Sequence, residues 1–147
     1  LPIINGECEK INDEIFAEVT YHASYEPMRC IRTDRYKFIR RFDSNSHIIP
    51  SNIDNGPAKQ FLLKSGLLEK RNQEEMLFDL YLDPMERENL VGEEKYGEIY
   101  HVLTEKLRNW MEDTEDILLA AQDKIKPPEG AVVNKQSCLH AELMDFE

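Results

Sequence analysis

The sequence predicts an α+β fold, a four-stranded antiparallel sheet with a long C-terminal amphipathic helix packed on one face. Three observations predict it. Segment 14–22 is rich in β-branched and aromatic residues, and 28–33, 36–42 and 76–82 also read as strands whose alternate residues share a face. Segment 95–112 carries an apolar stripe at helical spacing. The order strand–strand–strand–loop–strand–helix permits antiparallel pairing through short connections. The chain has 147 residues, 41% hydrophobic and 32% charged, which suits a globular domain and excludes wholesale disorder.

The first strand, 14–22, contains no Gly or Pro. Ile15, Ala17, Val19 and Tyr21 share one face and Phe16, Glu18, Thr20 and His22 the other. Residues 23–27 connect it to the next strand, because Pro27 lacks an N–H and biases Glu26 toward extended backbone. Asp34-Arg35 turns 28–33 into 36–42, where Tyr36, Phe38, Arg40 and Phe42 share a face. Residues 43–57 are polar and turn-forming. A short helix is predicted over 57–69, with Pro57 in its first turn and Phe61, Leu62, Leu67 and Leu68 as its apolar residues. In 76–82, Met76, Phe78, Leu80 and Leu82 are expected to face a core. In the long helix Tyr96, Ile99, Tyr100, Leu103, Leu107, Trp110 and Met111 form the stripe. Pro127-Pro128 breaks any helix beyond it, so 115–147 is expected as an extended tail, and 1–12 as the end of a preceding domain with a linker.

Charge and cysteine usage narrow the function. Residues 1–74 balance 11 Lys and Arg against 11 Asp and Glu, while 75–147 carry 7 against 18, giving the net −11. That balance argues against nucleic acid as a partner. No apolar run approaches the roughly 18–20 residues of a membrane span, so no membrane partner is expected. The three cysteines, Cys8, Cys30 and Cys138, have neither disulfide-scaffold number nor zinc spacing. Cys30, mid-strand, reads as an inert thiol. The basic cluster Arg29, Arg32, Arg35, Lys37, Arg40 and Arg41 suits an anionic substrate. The competing reading is that these cations face solvent or pair with acids elsewhere. The opening Leu1-Pro2-Ile3-Ile4-Asn5-Gly6 lacks Met and a signal-peptide pattern, and is expected to continue a longer chain.

Catalytic motifs are absent: no G-x-x-x-x-G-K, G-x-G-x-x-G, H-E-x-x-H or G-x-S-x-G occurs. His22, His47, His101 and His140 are isolated, and His22 is set apart by ending a strand at a loop. The most distinctive string is Leu77-Phe78-Asp79-Leu80-Tyr81-Leu82-Asp83-Pro84-Met85-Glu86-Arg87-Glu88-Asn89-Leu90. Asp83-Pro84 initiates a turn in which Asp83 accepts from following backbone N–H groups, and Asn89 is expected to take the left-handed backbone that reverses the chain. Its role reads as a rigid corner rather than catalysis.

This string resembles the C-terminal subdomain of sulfatases, in the alkaline-phosphatase-like superfamily, where L-(Y/F)-D-L-x-x-D-P-x-E-x-x-N-L leads into the last long helix. Pro27-Met28-Arg29-Cys30-Ile31-Arg32-Thr33-Asp34-Arg35-Tyr36-Lys37-Phe38-Ile39 resembles the family's P-x-R-x-x-R-T-x-x-Y-K-x-I strand pair, and Leu1–Gly6 the segment closing its catalytic domain. Pro27-Met28-Arg29 and the tail Cys138-Leu139-His140-Ala141-Glu142-Leu143 are most similar to the sulfamidase, or heparan N-sulfatase, branch. That branch's vertebrate members place a second Cys after the long helix, where this chain reads Ile117-Leu118-Leu119-Ala120.

The resemblance implies a parent hydrolase acting on sulfate esters or N-sulfates of a sugar. Sulfatases use a formylglycine made from the Cys or Ser of C/S-x-P-x-R, beside a Ca²⁺. No cysteine here is followed by x-Pro-x-Arg, so this chain is expected to supply no catalytic residue, cofactor or metal ligand. It is expected to shape the substrate pocket for its own N-terminal catalytic domain, with the sulfated sugar as ligand. The expected substrate-binding residues are His22, Tyr25, Glu26 and Arg29. The alternatives are a non-catalytic anionic-glycan-binding module and a protein-interaction module. Cytoplasmic and exported locations fit equally.

Overall fold

The computed structural model describes residues 2–22, 25–43, 46–54 and 56–121. Strands β1 (Glu14–Tyr21), β2 (Tyr25–Thr33), β3 (Tyr36–Arg41) and β4 (Glu75–Asp79) form one antiparallel sheet in the order β1-β2-β3-β4. Helix α1 (Pro57–Lys64) lies between β3 and β4 in sequence. Helices α2 (Gly97–Asp113) and α3 (Ile117–Ala121) follow β4. The fold class read from the sequence is therefore the one observed.

The chain divides into two compact units. The first takes in Leu1–Ala17, Arg29–Arg40 and Glu75–Thr114. Its core is Ile31, Phe38, Leu77, Phe78, Leu103, Leu107 and Met111, each at most 6% exposed. Helical periodicity sets which face of α2 turns inward, since Leu103, Leu107 and Met111 repeat every four residues. Two aromatic pairs seat that face on the strands. Phe38 of β3 meets Tyr100 edge-on, with centroids 5.6 Å apart and planes at 89°. Phe16 of β1 stacks on Trp110 at 5.0 Å and 2°. Polar contacts flank them: Lys106 Nζ donates to Glu14 at 2.7 Å, and Tyr100 Oη donates to Glu75 at 2.6 Å. The hydrogen bond to Glu75, and then burial, hold the Tyr100 phenol above its ordinary pKa.

Trp110 is half-buried, not enclosed, which sets the scale of its contribution. Trp110→Ala is expected to cost about 2–3 kcal/mol, below the ~3–5 of a fully enclosed indole, because part of the ring already meets water. Thermal melts showing less than about 1 kcal/mol of loss remove the Phe16 stack from the account.

Several boundaries differ from the sequence reading. Strand β2 starts at Tyr25 and includes Pro27, which the sequence placed in a connection. Within the strand the Pro27 carbonyl accepts from Phe42 N at 2.9 Å. Strand β4 ends at Asp79, not at residue 82. There the Asp79 carbonyl accepts from Leu82 N at 3.1 Å and Asp83 N at 2.7 Å, which curls the chain out of the ladder. Leu82 is consequently 62% exposed, and Leu77 takes the expected core place. The expected extended tail is helical over 117–121. Asp116 starts that turn, its Oδ1 accepting from Leu118 N at 3.0 Å, and Leu118 is fully buried. Residues 122–147, with the Cys138–Leu143 string, lie outside the described residues.

The second unit takes in Glu18–Met28, Arg41–Glu74 and the described part of Glu115–Glu147. Here α1 reverses the expected burial. Lys59 is 1% exposed, with Nζ donating to the Ile53 carbonyl at 2.8 Å. Phe61 is 69% exposed and Leu62 38%. The inward face is thus set by Lys59 and Leu63, four residues apart, with the ammonium satisfied by a backbone acceptor.

Candidate functional site

The basic stretch 29–41 resolves into ion pairs. Tyr36 faces Asp79 across the β3–β4 ladder. That register brings Arg35, one residue earlier, against the Asp79 carboxylate. Arg35 Nε and Nη2 grip it as a fork, with Nη2 to Oδ2 at 2.7 Å. Asp79 also accepts from the N–H groups of Tyr81 and Leu82, at 3.2 and 3.3 Å. The Arg35 guanidinium, with these N–H groups helping, holds the Asp79 carboxyl below the usual carboxylate range. Lys37 pairs with Glu86 at 2.8 Å and Arg40 with Glu75 at 3.6 Å. Among these cations the reading that they pair with acids holds. The basic cluster is mainly a set of struts.

The corner after β4 is built as the sequence suggested, with one exchange of roles. Asp83 Oδ2 accepts from Arg87 N and Glu88 N, and those N–H groups lower its carboxyl pKa. The left-handed residue is Glu86, at φ 54°, not Asn89. Asn89 instead staples the corner to β4. Its Oδ1 accepts from Leu77 N at 2.9 Å and from Val91 N at 3.1 Å, and its Nδ2 donates to the Glu75 carbonyl at 2.8 Å. Asp79 and Asn89 are the residues whose weight single-sequence reasoning missed. Their shared signal is a short polar side chain at a strand end, facing unpaired backbone groups.

Of the four expected substrate-binding residues, the structure places His22, Tyr25 and Glu26 in the second unit and Arg29 in the first. His22 follows β1 and its side chain is exposed. Tyr25 opens β2, half-buried. Glu26 is spoken for on both oxygens: Arg41 Nη1 donates to Oε1 at 2.7 Å, and Asn52 Nδ2 to Oε2 at 2.7 Å. Arg41, 5% exposed, also grips Asp43 at 3.1 Å, so one guanidinium ties the two carboxylates together. Arg29, expected to clamp an anionic group, is 3% exposed and engaged within the fold, as a guanidinium so enclosed must be. Of the four, His22 is the exposed side chain.

Cys30 is a free, half-buried thiol whose pKa is raised, chiefly by burial. Among the described residues no group of three His, Cys, Asp or Glu fits a metal ion. None of the described helices is long and apolar enough to cross a membrane.

No protein-family model matches the chain. An ulvan-active sulfatase from Formosa agariphila is 30% identical over 123 residues, covering 80% of this chain and 24% of that protein. A 2-O GAG sulfatase shares the fold at a TM-score of 0.55 and 20% identity, over 93% of this chain and 22% of its own. A further structure, solved with its substrate D-glucosamine-2-N,6-O-disulfate, superposes at a TM-score of 0.55 and 15% identity, over 84% of this chain and 20% of its own. The chain thus spans about a quarter of the length of the curated relative it matches. It is homologous to sulfatases, matching a part of their length.

Proposed function

We propose that the chain is the C-terminal part of a sulfatase that hydrolyses sulfate esters or N-sulfates of a sugar. It shapes the substrate pocket for an N-terminal catalytic domain. The observation that carries this reading is the 30% identity to an ulvan-active sulfatase over 80% of the chain. The nucleophile, a formylglycine, and the Ca²⁺ belong to the remainder of the parent. Among the described residues no group of His, Cys, Asp or Glu fits that metal. Exposed apolar residues support a covered surface in the parent: Ile4, Ile11 and Ile15 toward the N-terminus, and Tyr81, Leu82 and Met85 at the corner. The narrower reading, N-sulfate hydrolysis of the sulfamidase kind, rests on Pro27-Met28-Arg29 and the Cys138–Leu143 string.

His22 is the residue assigned to grip substrate, by hydrogen bonding to a sugar hydroxyl. Glu26, held by Arg41 and Asn52, acts as a positioning residue, and Tyr25 opens the strand that carries it. The test uses the full-length parent and kcat/KM for His22→Ala on a sulfated disaccharide and on a small aryl sulfate. A gripping residue loses at least about tenfold, or about 1.4 kcal/mol, on the disaccharide and much less on the aryl ester. Equal losses on the two substrates assign His22 a structural role, and no loss on either removes it from the site.

A further inference from the structure

A cleft of about 300 Å³ opens in the first unit, lined by Arg35, Tyr36, Lys95, Tyr96, Glu98, Ile99 and Val102. None of His22, Tyr25, Glu26 and Arg29 lines it, and from the basic cluster only Arg35 does. Its chemistry is specific. Tyr36 and Tyr96 offer two half-buried rings, and Ile99 and Val102 an apolar side. A cation stands over each ring: the Arg35 guanidinium 5.0 Å from the Tyr36 centroid, and Lys95 Nζ 5.0 Å from that of Tyr96. Asp79 takes Arg35 through Nε and Nη2, which leaves Nη1 outside that fork. Lys95 Nζ has Tyr96 Oη, at 3.4 Å, as its polar contact among the described residues, and no carboxylate pairs with it there. The acid on the lining, Glu98, is exposed.

Each part has a use for one ligand class. Aromatic faces pack against the C–H face of a pyranose ring, and the volume is at the small end of ligand pockets, right for one sugar unit. Lys95, which no carboxylate pairs with among the described residues, is open to an anionic substituent, while Arg35, its charge met by Asp79, still offers the Nη1 edge as a donor to a sulfate oxygen. We infer that this cleft binds a sulfated sugar unit, with Lys95 and the Nη1 edge of Arg35 on the sulfate and Tyr96 beneath the ring. The choice of a sulfated sugar rests on the sulfatase reading above, while the cleft and its two cations do not.

The test is a titration of the 147-residue chain, followed by amide NMR shifts, with a sulfated disaccharide, its unsulfated counterpart and inorganic sulfate. The variants are Lys95→Glu and Tyr96→Ala. Arg35 is left intact because its fork holds the corner, and a thermal melt checks that each variant folds. The expected result is sulfate-dependent shifts at residues 35–36 and 95–102. Affinity falls at least about tenfold in Lys95→Glu and about fivefold in Tyr96→Ala. Inorganic sulfate binding as tightly as the disaccharide overturns the inference, since it marks a bare anion site. So do unchanged affinity in a folded Lys95→Glu, or shifts absent from the cleft. Shifts confined to the His22 loop overturn the cleft and support the pocket role. Loss of the His22 effect in the parent leaves the cleft result standing, so the two readings fail separately.

Discussion

Replacing Phe38 by alanine lowers the unfolding free energy by about 3–5 kcal/mol, the largest single effect expected in this chain. The ring has no exposed surface, lies edge-on against Tyr100, and belongs to the same core as Leu77, Leu103 and Leu107. Its removal withdraws the apolar area of a whole phenyl group and leaves a cavity between sheet and helix that neither can close without breaking other contacts. Phe61→Ala is the matched control. That ring is 69% exposed, so its loss should stay within about 0.5 kcal/mol. Urea melts of the two variants decide the matter. Equal losses would falsify the assignment of the core to the α2 seam.

Asp79→Asn is expected to cost about 2–3 kcal/mol at neutral pH. The carboxylate is 1% exposed and closes three things at once: the Arg35 fork and the N–H groups of Tyr81 and Leu82. The figure is kept below that of a fully enclosed pair because half of the Arg35 side chain, 51%, meets solvent. The pH dependence follows from the direction of the shift. The folded-state pKa of Asp79 lies below the ordinary 3.8. Its contribution is therefore present above that value and is lost as pH falls through the folded-state pKa. Wild type and Asp79→Asn should differ most near neutrality and converge in acid. Parallel stability curves down to the acid limit of folding contradict the assignment.

Much of the fold was legible because burial on one face imprints a period. Leu103, Leu107 and Met111 show through as a helical stripe, and Phe38 as one position in an alternating strand. Where a side chain's polar end decides its place, the period misleads. Lys59 is drawn inward by one carbonyl while Phe61 stays out, an outcome that propensity and hydropathy both rank the other way. Leu82 alternates correctly with Leu80, yet Asp79 ends the ladder first through bonds between a carboxylate and backbone N–H groups. The candidate site was less legible than the fold. His22 stood out by its position at a strand end, but whether a cation such as Arg29 or Arg41 meets substrate or a carboxylate depends on long-range pairing. Arg41 and Glu26 are 15 residues apart in sequence, and Arg35 and Asp79 44. The Tyr36–Tyr96 cleft joins residues from a hairpin turn and a helix start, and neither segment carries a motif for it.

The central claim is that this chain contributes a wall of a sulfatase's substrate site while the remainder of the parent performs the hydrolysis. Sulfate release tests it most directly, measured from an N-sulfated glucosamine, an O-sulfated disaccharide and 4-nitrophenyl sulfate, with Ca²⁺ supplied. The full-length parent and the purified 147-residue chain are assayed side by side. The parent should turn over at least one of the sulfated sugars, and the chain alone should release no sulfate above the blank. Turnover by the chain alone, or a folded and mature parent inert on every sulfated substrate, contradicts the account.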